Sequence, residues 1–178
     1  MSISRTRRGF LAAAMAAALT LTTGAIAAPK QFETPEAMAE AMNDFPPETG
    51  HFKVLKRKPL HIRLAINTQG IPSDPQYLAE DFLRAFQWGV WRTFLHTKAD
   101  QVTVTVVSPV AVDGHKTMTA TVTRAKAEQV ARDMLGVNQL ADLVTPRDTW
   151  TDAMKRCRYS DNGKPGLRAC TLALAGKN

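Results

Sequence analysis

The residues that could do chemistry in this sequence are few and scattered. His61 and Arg63 stand two apart in an alternating segment, so their side chains share one face of a strand. An imidazole beside a guanidinium can bind an anion or take part in acid–base chemistry. The pair is therefore a candidate anion-binding site, and a solvated outer face is the alternative.

Sequence signatures of known enzyme classes are missing. The histidines at positions 51, 61, 96 and 115 lack the spacing that is typical of a metal site. There is no Gly-x-Ser-x-Gly motif and no nucleotide-binding glycine loop. We therefore expect no catalytic residue, no cofactor and no metal ion. An enzyme of unknown type, acting through His61 and Arg63, stays open as an alternative.

The two cysteines predict a disulfide. Cys157 and Cys170 flank a turn-rich segment that would bring them together, and in an oxidising compartment such a pair is expected to be bonded. Closing so short a loop contributes roughly 3 kcal/mol in the chain-entropy model. A redox or zinc role is less favoured, because the sequence has no Cys-x-x-Cys motif.

An aromatic stripe at heptad spacing is the best candidate for a protein-binding surface. Trp and Arg dominate binding hot spots, and the stripe contains both. Its alternative role is to pack beneath neighbouring helices. The candidate partner-binding residues are Tyr77, Arg84, Trp88, Trp91 and Leu95.

A basic patch precedes the first long alternating segment. Four cations within six residues can contact anionic lipid or an acidic surface, each contributing about 1 kcal/mol near a membrane. Plain solvation is the alternative. The patch consists of Lys53, Lys56, Arg57 and Lys58.

The N-terminus has the three parts of an export signal. Arg5, Arg7 and Arg8 precede an apolar run over residues 10–26, and small residues surround Ala27, after which we expect cleavage. A membrane anchor is the alternative, although the run is rich in alanine and threonine and no stop-transfer charges follow it.

Residues 6–11, Thr-Arg-Arg-Gly-Phe-Leu, resemble the twin-arginine (Tat) export motif. The resemblance covers the signal only, and it implies export across the inner membrane to the periplasm. The general secretory route is the alternative.

Composition describes one small domain of modest charge. Removing the signal deletes three of the 23 basic residues and none of the 16 acidic ones, which leaves a net charge of +4. That charge does not demand a nucleic-acid partner. We expect a helical preface and linker over residues 28–50 and a single α+β domain over residues 51–178.

Periodicity predicts the order of elements in this domain. A strand with buried Leu60, Ile62, Leu64 and Ile66 precedes a helix that Asp74 caps and that ends near His96. A hairpin through Asp113-Gly114 follows, with an edge or bulge at Pro109. Then come a helix over residues 124–135, a short turn over 138–144, a helix start at 145–148, and a last strand over 168–174.

This order predicts a split βαβ, ferredoxin-like sandwich of a four-stranded sheet and helices, with a helical insertion before the last strand. The open face of the sheet would lack the aromatic side chains that RNA-binding sheets use. Its small side chains would be Thr103, Thr105, Thr117, Thr119, Thr121, Thr171 and Ala173.

These features together favour an exported accessory or binding protein without catalytic activity. We expect a protein partner in the bacterial envelope, no nucleic acid, at most peripheral membrane contact, and a monomer or homodimer. An envelope-surface binder that acts through the basic patch is a further alternative.

Overall fold

The computed structural model describes residues 28–68, 74–112, 114–160 and 163–177. The expected export signal and its cleavage site at Ala27 lie outside these ranges, as does Asp113 of the expected hairpin turn. The order of elements is α1 (Pro35–Met42), β1 (Phe52–Lys56), β2 (Leu60–Ala65), α2 (Pro75–His96), β3 (Gln101–Val112), β4 (His115–Thr123), α3 (Arg124–Val130), α4 (Asp152–Arg158) and α5 (Leu167–Leu174). Three short helical segments, Pro47–Thr49, Ala131–Leu135 and Leu140–Leu143, accompany them.

The four strands form one mixed sheet in the order β1-β2-β3-β4. Strands β2 and β3 run parallel, and the two outer pairings are antiparallel. The predicted α+β class with a four-stranded sheet is confirmed, and a helix between β2 and β3 makes the arrangement roughly compatible with a ferredoxin-like fold.

The fourth strand, however, is β1 and not the C-terminal segment. Residues predicted as the last strand form helix α5, which places Leu167, Cys170, Thr171 and Leu174 on one buried face. Leu167 and Leu174 are seven residues apart, a spacing that fits a helix and not the alternation of a strand. Thr171 and Ala173 therefore do not belong to the open sheet face.

Strands β2 and β3 are direct neighbours, joined by α2. No described strand lies between them, so the unit is a simple βαβ crossover without the split. A helix on one face is the usual way for two parallel neighbours to be connected.

Helix α2 is the centre of the molecule. The expected cap is confirmed: the Asp74 carboxylate accepts a hydrogen bond from the Gln76 amide at 2.8 Å, and Pro75 is the first helical residue. From Ala85 to His96 every residue is buried, because the sheet lies on one side and other helices surround the rest. Gly89 allows the close approach, since a Cβ there would lie 2.8 Å from Cγ1 of Val104.

The N-terminal preface belongs to the same core. Helix α1 is capped by Thr34, whose hydroxyl accepts from the Ala37 amide at 3.1 Å. Met38 and Ala39 are fully buried within the single hydrophobic cluster. The helix of the preface is thus one of the layers that cover α2.

The hairpin and the following helix agree with the sequence expectations. Strands β3 and β4 pair antiparallel, and their register shifts between Val107 and Val112, the stretch in which an edge or a bulge was expected at Pro109. Helix α3 continues as a π-helical turn that ends at Gly136, whose φ of 69° is the expected left-handed cap.

The next helix starts later than predicted. Thr145 accepts backbone hydrogen bonds in a tight turn, Trp150 pairs with Val144 in an isolated bridge, and α4 begins only at Asp152. No helix in the described part of the chain is long and apolar enough to cross a membrane.

Candidate functional site

One face of the sheet is covered and the other is open. Ile62, Leu64, Val104 and Val106 on the covered face have no exposed surface, because α2 packs against them. Alternate residues of the same strands point the other way and are only partly buried. Helices of the described chain pack on the first face, and the second face is left uncovered by them.

Threonines and one histidine form a hydrogen-bonded lattice across this open face. The hydroxyls of Thr103 and Thr121 lie 2.8 Å apart, as do those of Thr105 and Thr119. Nε2 of His61 is 2.9 Å from the Thr105 hydroxyl. The side chains are therefore held in a flat, ordered array that spans β2, β3 and β4.

The open face is basic at one side. Lys53 lies opposite Arg63 and Lys56 lies opposite His61, so all four share this face. None of the four strands contains an acidic residue. We call the surface formed by Lys53, Lys56, His61, Arg63 and the threonines the basic sheet face.

His61 and Arg63 share that face but do not converge on one ligand position. His61 bonds towards β3, whereas Nη2 of Arg63 donates to the Gly50 carbonyl at 3.0 Å, on the β1 side of β2. Neither residue lines the cavities described below. The pair contributes charge to a surface.

The basic patch is divided between two surfaces. Lys53 and Lys56 belong to the basic sheet face. Arg57 forms a salt bridge with Glu36 at 2.7 Å, and with Lys58 it borders an open cavity of about 620 Å³ that also contains Lys98. All four patch residues are exposed.

The aromatic stripe is structural, which corrects the expectation of a partner-binding surface. Trp88, Trp91 and Leu95 are 2%, 0% and 3% exposed. Trp88 packs against the rings of Phe45 and Phe52, with centroids 4.9 and 6.4 Å away. The preface and β1 thus cover this part of the stripe, and the predicted core role is the one observed.

The two polar ends of the stripe have different surroundings. Arg84 is held by Glu80 and by Asp81, and its Nε donates to the Arg158 carbonyl at 3.0 Å. Tyr77 is 54% exposed near the start of α2. Of the five expected partner-binding residues, Tyr77 alone presents a large exposed side chain.

The predicted disulfide is confirmed. Cys157 in α4 and Cys170 in α5 are bonded, with their Cα atoms 5.6 Å apart. Nearby, the buried Gln87 amide donates to the carbonyls of Cys157 and Leu167 at 2.9 and 3.1 Å. The crosslink and these bonds fix both helices to α2.

Polar residues buried on α2 form a cluster that we did not predict. His96 has no exposed surface; its Nδ1 donates to the Lys30 carbonyl at 2.8 Å, and its Nε2 accepts from Nη1 of Arg92 at 3.2 Å. Burial lowers the pKa of His96, opposed by the bond to Lys30. Because Arg92 can only donate, this geometry requires a neutral imidazole.

A second arginine completes this polar region. Arg92 stacks on the Trp150 ring at 4.0 Å, and Arg158 lies 5.3 Å from the same ring. Burial lowers the pKa of both guanidinium groups. The two arginines and Trp150 come from α2, from α4 and from the turn before α4, so they meet only in the folded chain. The sequence signal for this cluster was the presence of polar residues inside an otherwise apolar helical stretch.

Within the described residues, no group of three or more His, Cys, Asp or Glu side chains could hold a metal ion. No family model matches the chain, and neither a curated protein nor a solved structure is significantly similar to it. Function must therefore be argued from the surfaces and cavities themselves.

Proposed function

We propose that this chain is an exported, non-catalytic binding protein whose basic sheet face docks an acidic surface of a protein partner in the bacterial envelope. The observation that carries the proposal is a sheet covered by helices on one side only, with cations and no acidic residue on its strands. Complementary charge steers association and selects partners.

The lattice of threonines supports the same role. Ordered hydroxyls on a flat sheet offer donors and acceptors at fixed positions, so a docking partner need not restrict flexible side chains first. Phe, Tyr and Trp, which nucleic-acid-binding sheets use for stacking, do not occur at the open-face positions of β2, β3 and β4.

An oxidising location supports the envelope as the site of action. The Cys157–Cys170 disulfide is consistent with an extracytoplasmic protein. Together with the basic, apolar and small-residue segments of the N-terminus, it favours export to the periplasm, and the paired arginines favour the twin-arginine route.

Charge reversal on the basic sheet face tests the proposal. We expect the double variant K53E/K56E to capture the partner from an envelope extract at least tenfold less well than the unchanged protein, because two exposed cations of the docking face become repulsive. Bound proteins are identified by mass spectrometry at low and at high salt, and the unchanged protein should lose its partner as salt rises.

A matched control separates the face from overall charge. R132E/K164E reverses two exposed cations outside the sheet and should leave capture unchanged. Equal loss in both double variants would show that net charge matters and would refute the docking face. Binding of the unchanged protein to vesicles of anionic lipid, without a protein partner, would support the basic patch as an envelope-surface binder instead.

A further inference from the structure

A small cavity of about 250 Å³ lies between the preface, the end of β2 and the first half of α2. Its apolar wall includes Phe45, Ile66, Ala85 and Trp88. Ile66 directly follows the carboxyl end of β2, the parallel strand that leads into α2. In open sheets with βαβ connections, ligands bind preferentially beyond the carboxyl ends of the strands.

Two carboxylates and two guanidinium groups also line the cavity. One of each is already matched, since Asp81 and Arg84 form an ion pair at 2.9 Å. The remaining charges are Asp44 and Arg158, and no salt bridge joins them within 4 Å. The cavity thus contains one anion and one cation that face common space without meeting.

Asp44 is held in place, and no side chain of the described residues forms a salt bridge with it. One of its oxygens, Oδ2, accepts a hydrogen bond from the Trp88 indole at 2.7 Å. That bond fixes the carboxylate at the apolar wall, because the Trp88 ring is itself packed between Phe45 and Phe52.

Arg158 is held in place in a similar way. Its guanidinium lies on the Trp150 ring, and its Nε and Nη1 are buried without a hydrogen-bond partner. Arg158 is half-buried and no carboxylate of the described residues pairs with it within 4 Å, so an anion that reaches its guanidinium gains a charge-assisted interaction.

The arrangement selects against ligands of one charge. A simple anion that approaches Arg158 also meets Asp44 and Asp81, whereas a simple cation at Asp44 also meets Arg158 and Arg84. A molecule with both charges a few bonds apart meets a complementary partner at each end, and its remaining atoms can contact the apolar wall.

We propose that this cavity binds a small zwitterion of the α-amino-acid type. The ligand carboxylate pairs with Arg158, the ammonium group pairs with Asp44, and a short apolar side chain packs against Phe45 and Ile66. The site is separate from the basic sheet face, so a failure of partner docking would not contradict ligand binding here, and the reverse also holds.

Three probes of nearly equal size test the charge requirement. Isothermal titration calorimetry of the purified protein compares L-valine with 3-methylbutanoate, which lacks the amine, and with 2-methylpropylamine, which lacks the carboxylate. We expect L-valine to bind at least tenfold more tightly than either, since each lost charge-assisted bond removes about a factor of ten or more.

Two variants locate the site. D44N keeps an oxygen acceptor for the Trp88 indole but removes the negative charge, and R158Q removes the positive one; each should weaken L-valine about tenfold or more. R147Q changes an exposed arginine beyond the cavity and should have no effect. D44N and the probe comparison decide the question even where R158Q does not fold.

Three results would overturn the proposal. If 3-methylbutanoate binds as tightly as L-valine, the cavity is a simple anion site. If 2-methylpropylamine does so, it is a cation site. If none of the three probes produces a binding isotherm, the cavity does not take a ligand of this class.

Discussion

The two faces of the sheet are built by the same strands and yet have opposite characters. On the covered face, valine, isoleucine and leucine pack against α2 with no exposed surface. On the open face, threonine hydroxyls bond to one another, and the threonines and cations remain at least partly accessible. Burial of apolar area stabilises the first face, whereas the second contributes little to folding and is free to be used for recognition.

Polar groups follow the same division. On the covered side, Gln87, His96 and Arg124 each bind backbone carbonyls inside the fold. On the open side, polar groups bond along the surface and can exchange these partners for water. Substitutions should therefore destabilise the protein strongly on one side and hardly at all on the other.

The largest contrast in stability should come from a buried and an exposed position of α2. Trp91 has no exposed surface, so Trp91→Ala leaves a large cavity and should lower the free energy of unfolding by about 3–5 kcal/mol. Tyr77→Ala, on the same helix but exposed, should change it by less than about 0.5 kcal/mol. Urea denaturation measures both, and similar values for the two variants would contradict the core role of the stripe.

A reciprocal exchange on β3 isolates the face itself. Val104→Thr places a hydroxyl in the covered core and should lower the free energy of unfolding by about 1–3 kcal/mol. Thr103→Val, one position away on the open face, should change it by no more than about 0.5 kcal/mol. Equal effects from the two substitutions, measured by thermal unfolding, would mean that the open face is covered in solution.

A smaller, pH-dependent effect should come from His96. Because burial lowers its pKa in the folded state below 6.5, the folded protein binds fewer protons there than the unfolded chain does. The stabilisation is fully present above pH 6.5 and is lost as the pH falls below it. Tm measured between pH 7.5 and 5 should decrease for the unchanged protein.

The His96→Gln variant removes the titrating group and should flatten this part of the profile. His115→Gln, which changes an exposed histidine on β4, should leave the profile as it is. An unchanged slope in His96→Gln would assign the pH dependence to other groups.

Local patterns predicted the elements whose periodicity was unambiguous. The alternation around Ile62 and Leu64 predicted β2, and Asp74 with Pro75 predicted the start of α2 at the correct residue. Segment 168–174 failed because seven apolar-rich residues fit both a strand and a helix. Only the contacts with α2 and α4, and the disulfide at Cys170, decide between the two.

The candidate sites show the same limit. The sequence placed His61 and Arg63 on one face of a strand because strand alternation is a local property. That Lys53 and Lys56 lie opposite them depends on the pairing of β1 with β2. It left open whether Trp88 and Trp91 are core or surface, because an all-round buried helix has no polar face to mark its exposed side. Whether the aromatic stripe is core or surface depends on what packs against it.

By itself, the sequence determined which residues alternate, where α2 begins and ends, and that the two cysteines would pair. Each of these follows from short-range geometry or from the chemistry of one residue type. Tertiary structure alone decided that the aromatic stripe is buried, that the fourth strand is β1, and that Asp44 and Arg158 face one cavity. Those facts depend on contacts between segments distant along the chain, and no local pattern encodes such contacts.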